Sequence, residues 1–161
     1  MTDPHVRFMR LALAEAEAGR VTGDLAVGSV IVRGDEVLGR AHNEANSGRD
    51  LTAHAETVAI RRVSAELGLV NPTFDQAYRP LAGCALYTTI EPCPMCGWAI
   101  CLSGIATLVI GARLADFGVR FGEYTVERLL AMTGVTLAVV PGVLREESMR
   151  LRASQSPPAV R

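Results

Sequence analysis

The sequence predicts an α/β fold in which a mixed sheet is covered by helices on both faces. Two patterns predict it: a strand-turn-strand segment spans about residues 25–42, and strands and helices alternate after it. Composition agrees. At 161 residues the chain has material for one core rather than two. With 49% hydrophobic and 20% charged residues it is neither disordered nor a charge-rich module. One domain is therefore expected over residues 1–152, with a disordered tail over 153–161.

Each element has a local reason. The run Leu11-Ala12-Leu13-Ala14 is interrupted by Glu15 and Glu17, which makes residues 5–19 an amphipathic helix and not a signal peptide. Strands follow at 25–33 and 36–42, joined at Gly34-Asp35, a hairpin turn pair. A helix at 52–67 carries Val58, Ala59, Ile60 and Val63 on a helical period, with Asp50 and Thr52 as suitable caps. Residues 71–80 form a loop, either a lid or inert. Leu86 to Ile90 belong to a strand at 84–90, and Pro94 suits the first position of a helix at 94–103, with Cys93 as its cap. A strand at 106–112, a helix at 125–133, a strand at 136–140 and a helix at 143–153 complete the series. Beyond it, Ser154, Ser156, Pro157 and Pro158 read as tail. No apolar stretch is long enough for a membrane span, and free thiols beside a metal motif point to the cytoplasm.

Chemistry concentrates in His54-Ala55-Glu56 and Pro92-Cys93-Pro94-Met95-Cys96. Thiolate and imidazole suit zinc, and three protein ligands leave a fourth tetrahedral position for water, whereas structural sites close with four. Zinc brings the pKa of its water from about 15.7 to roughly 7, so a nucleophile exists at neutral pH. Glu56 lies two residues from His54 and cannot share its lateral helix face, but from a first helical turn it reaches the same site end-on. Two helix N-termini would then converge on the metal and favour the anionic forms. Alone, Cys-x-x-Cys also fits a redox pair or half of a structural zinc site. Cys84 and Cys101 are the candidates for a closing fourth ligand, but their apolar settings read as ordinary buried thiols.

His-x-Glu with Pro-Cys-x-x-Cys resembles the signature of zinc deaminases acting on cytosine or adenine rings. Further blocks carry the same resemblance: Leu25 to Val32, Gly39 to Asn43, Asp50 to Glu56, Leu86 to Cys96 and Ile110 to Arg113. Together they resemble the branch of the cytidine deaminase-like superfamily that holds guanine, cytosine and tRNA adenosine deaminases. The resemblance implies a three-layer α/β/α sandwich on a five-stranded mixed sheet. It implies one zinc per chain on His54, Cys93 and Cys96, with Glu56 as the catalytic proton carrier. It assigns substrate contacts to Asn43, Val27, the Ala55 N–H and the Glu91 carbonyl. Asn43 has a lesser reading as a turn residue before Gly48. Where relatives carry proline, this chain has Ala26, which loosens that wall.

The segment 114–124 departs from the tRNA enzymes, and within it Asp116, Phe117 and Glu123 are expected to contact substrate, an aromatic by stacking and a carboxylate by accepting ring N–H groups. Glu123 also suits the start of the following helix, and Phe117 the core. Net charge is −1 and arginine is the sole strong base, so no excess of charge points to a phosphate backbone. The expected substrate is thus a free nucleobase of guanine or cytosine type, with nucleosides and triazines beside it. A tRNA adenosine deaminase and a non-catalytic zinc-binding subunit are the alternatives. Family habit implies a homodimer, and no nucleic-acid partner is expected.

Overall fold

Strands β1 (Gly28–Arg33) and β2 (Glu36–His42) form the expected hairpin about Gly34 and Asp35, with Gly34 at φ 60° and a register irregularity at Ile31/Val32. In the computed structural model, which describes residues 3–70 and 77–155, β1 also pairs antiparallel with β3 (Cys84–Ile90). Parallel pairings then add β4 (Thr107–Ala112) and β5 (Ala138–Pro141), in the order β2-β1-β3-β4-β5. This is the mixed five-stranded sheet that the alternation and the resemblance imply.

Side chains leave a strand alternately to either face, and here they build two cores. Val30, Val32, Tyr87 and Val109 bury against Phe8, Met9 and Ala12 of α1 (Pro4–Thr22). Ile31, Leu86, Leu108 and Ile110 bury on the other face with Val58, Ala59 and Val63 of α2 (Ala55–Glu66), Ile100 of α3 (Pro94–Ser103) and Val126 of α4 (Val126–Thr133). Helix α5 (Arg145–Ala153) packs beside α1, completing the three layers. Two glycines set the helix-to-sheet spacing. A Cβ at Gly28 would overlap the backbone of Ala12 and Ala16, and one at Gly111 would overlap Ser148 of α5.

Several boundaries differ from expectation. Helix α2 starts at Ala55, capped by the backbone of His54, because Asp50 turns its carboxylate onto the Thr52 N–H (2.8 Å) and hydroxyl (2.6 Å) instead of capping a helix. The segment Leu25–Val27 is not strand. Its Val27 N–H bonds Leu25 O at 2.7 Å and its Ala26 N–H bonds Gln155 Oε1 at 2.9 Å. Nor is the tail free from residue 153 onward: α5 runs through Ala153, and the Gln155 amide also donates to the Asp24 carbonyl. The composition there suggested disorder, but one side-chain amide satisfies two backbone groups of a distant loop. Residues 71–76, most of the expected extra loop, and 156–161 lie outside the described residues. No described helix is long and apolar enough to cross a membrane.

Candidate active site

Two helix starts meet beside the C-terminal end of β3, the central strand of the sheet. His54 is the N-cap of α2 and Cys93 the N-cap of α3, both extended, and Pro94 occupies the first turn of α3 where its missing N–H is harmless. One turn on, Cys96 faces back toward Cys93. The His54 Nδ1 atom lies 3.6 Å from Cys93 Sγ and 3.5 Å from Cys96 Sγ, and all three atoms fall within 4.8 Å of one another. A sulfur at about 2.3 Å and a nitrogen at about 2.05 Å from a tetrahedral zinc stand roughly 3.6 Å apart, so the spacing fits that ion. His54, Cys93 and Cys96 are the zinc ligands of this chain. Among the described residues no fourth ligand atom joins the set. Cys84 and Cys101 are buried elsewhere as free thiols.

The electrostatics favour one anionic sulfur, the two acting as an acid and its conjugate base. The Cys96 thiol beside Cys93 holds the latter down to about 4, His54 adding to the effect. Cys96 is pushed far up, by the neighbouring Cys93 thiolate first and by burial second. His54 is raised by its bond to Cys93, against the pull of its own burial. Glu56, 3% exposed in the first turn of α2, is raised by burial. The Thr88 hydroxyl of β3 lies 3.3 Å from Glu56 Oε1 and 3.0 Å from the Ile90 carbonyl, which steadies the carboxyl from below.

A cavity of about 220 Å³ opens on this centre. Val27, Asn43, His54, Glu56, Glu91, Cys93 and Phe117 all line it, which brings together most of the residues singled out in the sequence. The first-turn N–H of Ala55 has no acceptor within the helix, as at every helix start. Asn43 is 2% exposed, and its Oδ1 accepts the Ala45 N–H at 3.1 Å, so its amino group is the part left to donate. Glu91 is likewise committed. Its Oε1 accepts from Arg113 (2.8 Å) and its Oε2 from the Leu114 N–H (3.1 Å). A larger groove of about 320 Å³ between α2 and α3 is lined by Ile60, Leu69, Tyr78 and Leu102 among others, and among the described residues that line it there is no carboxylate, imidazole or thiol. The chemistry belongs to the smaller cavity.

Two expected contacts are not brought to it. Asp116 takes the Arg113 N–H at 2.8 Å and pairs with Arg145 at 2.7 Å, because a short 3-10 turn (Leu114–Phe117) needs its start capped. Glu123 is 86% exposed and pairs with Arg128 near the start of α4, the role its position also suited. Sequence reasoning missed Leu25, Leu114, Val119, Phe121 and Arg152 on the cavity wall. Nothing local marks Arg152, since α5 arrives there only through tertiary packing. Within segment 114–124, the Tyr124 hydroxyl donates to the Pro92 carbonyl at 2.9 Å and fastens the start of α3.

The profile of the cytidine and deoxycytidylate deaminase zinc-binding region matches residues 2–112. The chain belongs to this family. Among relatives, a tRNA-specific adenosine deaminase of Aquifex aeolicus is 37% identical over 105 residues, 65% of this chain and 64% of that one. A chloroplastic tRNA(adenine(34)) deaminase of Arabidopsis thaliana is 36% identical over 94% of this chain, which spans 10% of its length. The chain thus matches less than two thirds of these relatives. Among solved structures, one from work on A-to-I editing by tRNA:A34 deaminases is 32% identical, with TM-score 0.74, covering 90% of this chain and 98% of that one. Guanine deaminase from Bacillus subtilis is 26% identical, with TM-score 0.62, over 82% and 92%.

Proposed function

We propose that this protein is a zinc-dependent hydrolytic deaminase whose substrate is an adenosine carried in transfer RNA. The observation that carries the choice of ring is the polar lining of the cavity. Asn43 offers its amino group, and both oxygens of Glu91 are occupied. Adenine presents bare ring nitrogens as acceptors, whereas guanine presents a ring N–H beside its one amino group, a donor that calls for a free carboxylate. Asp116 and Glu123, the carboxylates expected to contact substrate, pair with Arg145 and Arg128 instead. The named activity of the 36–37% identical relatives supports the same choice. This reverses the expectation of a free base and no nucleic-acid partner. That expectation rested on the departure of segment 114–124 from the tRNA enzymes and on net charge, and net charge averages over the whole molecule and is silent about any one rim.

When bound, zinc supplies a water acidic enough to attack at neutral pH. Glu56 takes a proton at its carboxylate, passes it to the ring nitrogen beside the amino-bearing carbon, and a second transfer lets the amine leave as ammonia. Thr88 holds that carboxyl in place. Asn43 donates to the ring, Phe117 covers its face, and Val27 with Leu114 closes the sides against water. The Ala55 N–H and Glu91 carbonyl remain the proposed contacts to the ring and its amino group. Glu56 at the metal argues against a catalytically silent subunit, and three ligands argue against a structural zinc.

The test is a parallel incubation of zinc-loaded protein with an anticodon stem-loop bearing adenosine at its first anticodon position, with guanine and with cytosine. Inosine in the RNA is expected. Xanthine or uracil without inosine would overturn the substrate and return it to a free base.

A further inference from the structure

Arg152 sits in the last turn of α5, half-buried on the cavity wall with Val27, Asn43 and Phe121. Among the described residues, no carboxylate lies within 4 Å of its guanidinium. The Gln155 Oε1 atom is 3.5 Å from it and already accepts the Ala26 N–H at 2.9 Å. Arg113, the guanidinium behind the same wall, is by contrast held by Glu91 and Glu127. Half-buried in the last turn of a helix, this guanidinium keeps donors free for an anion that a ligand brings. Nor is Arg152 placed there by a loose chain end, because Gln155, one turn on, bonds Asp24 and Ala26, the loop that supplies Leu25 and Val27 to the cavity.

We propose that Arg152 is a phosphate subsite at the mouth of the cavity, engaging a phosphate attached to the nucleoside whose base lies inside. A free base fills the cavity and leaves this cation unmet, whereas a nucleotide carries an anion outward from the ring through its sugar. The guanidinium fork matches phosphate oxygens in a bidentate manner that an ammonium does not. The inference rests on the adenosine reading for the ring and adds to it the demand that the base arrive on a phosphorylated sugar.

The experiment measures binding of adenosine, 3′-AMP and 5′-AMP to the zinc-loaded full chain by calorimetry, in the unaltered protein and in Arg152→Gln and Arg152→Lys. At least one monophosphate should bind about tenfold or more tighter than adenosine. Arg152→Gln should erase that advantage, and Arg152→Lys should keep part of it. Equal affinities for adenosine and both monophosphates, or an advantage that survives Arg152→Gln, would overturn the subsite. The RNA assay separates the two readings. A monophosphate advantage that depends on Arg152, without inosine formation in the stem-loop, sinks the RNA substrate and leaves the subsite standing. Inosine formation with unchanged affinities in Arg152→Gln does the reverse.

Discussion

The two walls of the cavity are built in different ways. On the metal side, four functional side chains come from two short segments, each placed by the start of a helix: His54 and Glu56 by α2, Cys93 and Cys96 by α3. On the opposite side, the wall is assembled from residues far apart in sequence, with Glu91 bonded to Arg113, Arg113 to Glu127, Asp116 to Arg145, and Gln155 to the loop at Asp24. The metal wall is local geometry repeated twice, and its chemistry is one of fixed distances. The far wall is a set of long-range pairings that hold the cavity's shape. Metal site and cavity wall are thereby held by separate devices.

Substitutions can break or sharpen that division. Removing a metal ligand, by His54→Ala or Cys93→Ala, should have the largest effect: zinc content falls from one per chain toward zero in metal analysis, and turnover disappears with it. Glu91→Gln should strike the far wall alone. The Arg113 guanidinium loses a partner that is 6% exposed, so a loss of about 2 kcal/mol is expected in denaturant unfolding, with zinc content unchanged. If zinc fell in that variant as well, the two walls would not be separate.

A smaller effect is expected at Asp24, which is fully buried and accepts from Asn46 N–H (2.8 Å), Ser47 N–H (3.0 Å) and the Thr22 hydroxyl. Burial alone would raise its carboxyl, but these donors outweigh it and hold the group below its ordinary 3.8. The folded form therefore binds the proton less readily than the unfolded chain. The resulting stability is complete above about pH 4 and is lost as pH falls through the lower, folded value. Asp24→Asn should cost roughly 1–3 kcal/mol at neutral pH, and the gap from the unaltered protein should narrow in unfolding curves taken toward pH 3. Least of all should change in Glu123→Ala, where turnover is expected to stay within about twofold because the side chain is in solvent.

The metal wall was legible because its information is short-range. Pro94 and the spacing of Cys93 and Cys96 specify a helix start with two sulfurs a turn apart, and His54-Ala55-Glu56 does the same for imidazole and carboxyl. Strand order, by contrast, was not legible, since alternation alone sets neither which strands pair nor in which direction. The far wall was misread where a residue type was taken for a role. Asp116 and Glu123 are carboxylates in the right segment, yet Arg145 lies 29 positions from Asp116 in sequence and could not be paired with it by inspection. Arg152, near the end of an expected helix, and Gln155, within a segment whose serines and prolines pointed to a tail, were hidden for the same reason.

The central claim is that His54, Cys93 and Cys96 hold a metal while Glu56 carries protons beside it without being a ligand. Zinc content and product formation, measured on one preparation of Glu56→Gln and of the unaltered chain, test it most directly. The account predicts one zinc per chain in both proteins, with turnover in Glu56→Gln lower by a factor of about 10² to 10⁴. Turnover at the unaltered rate, or loss of zinc along with the carboxylate, would contradict it.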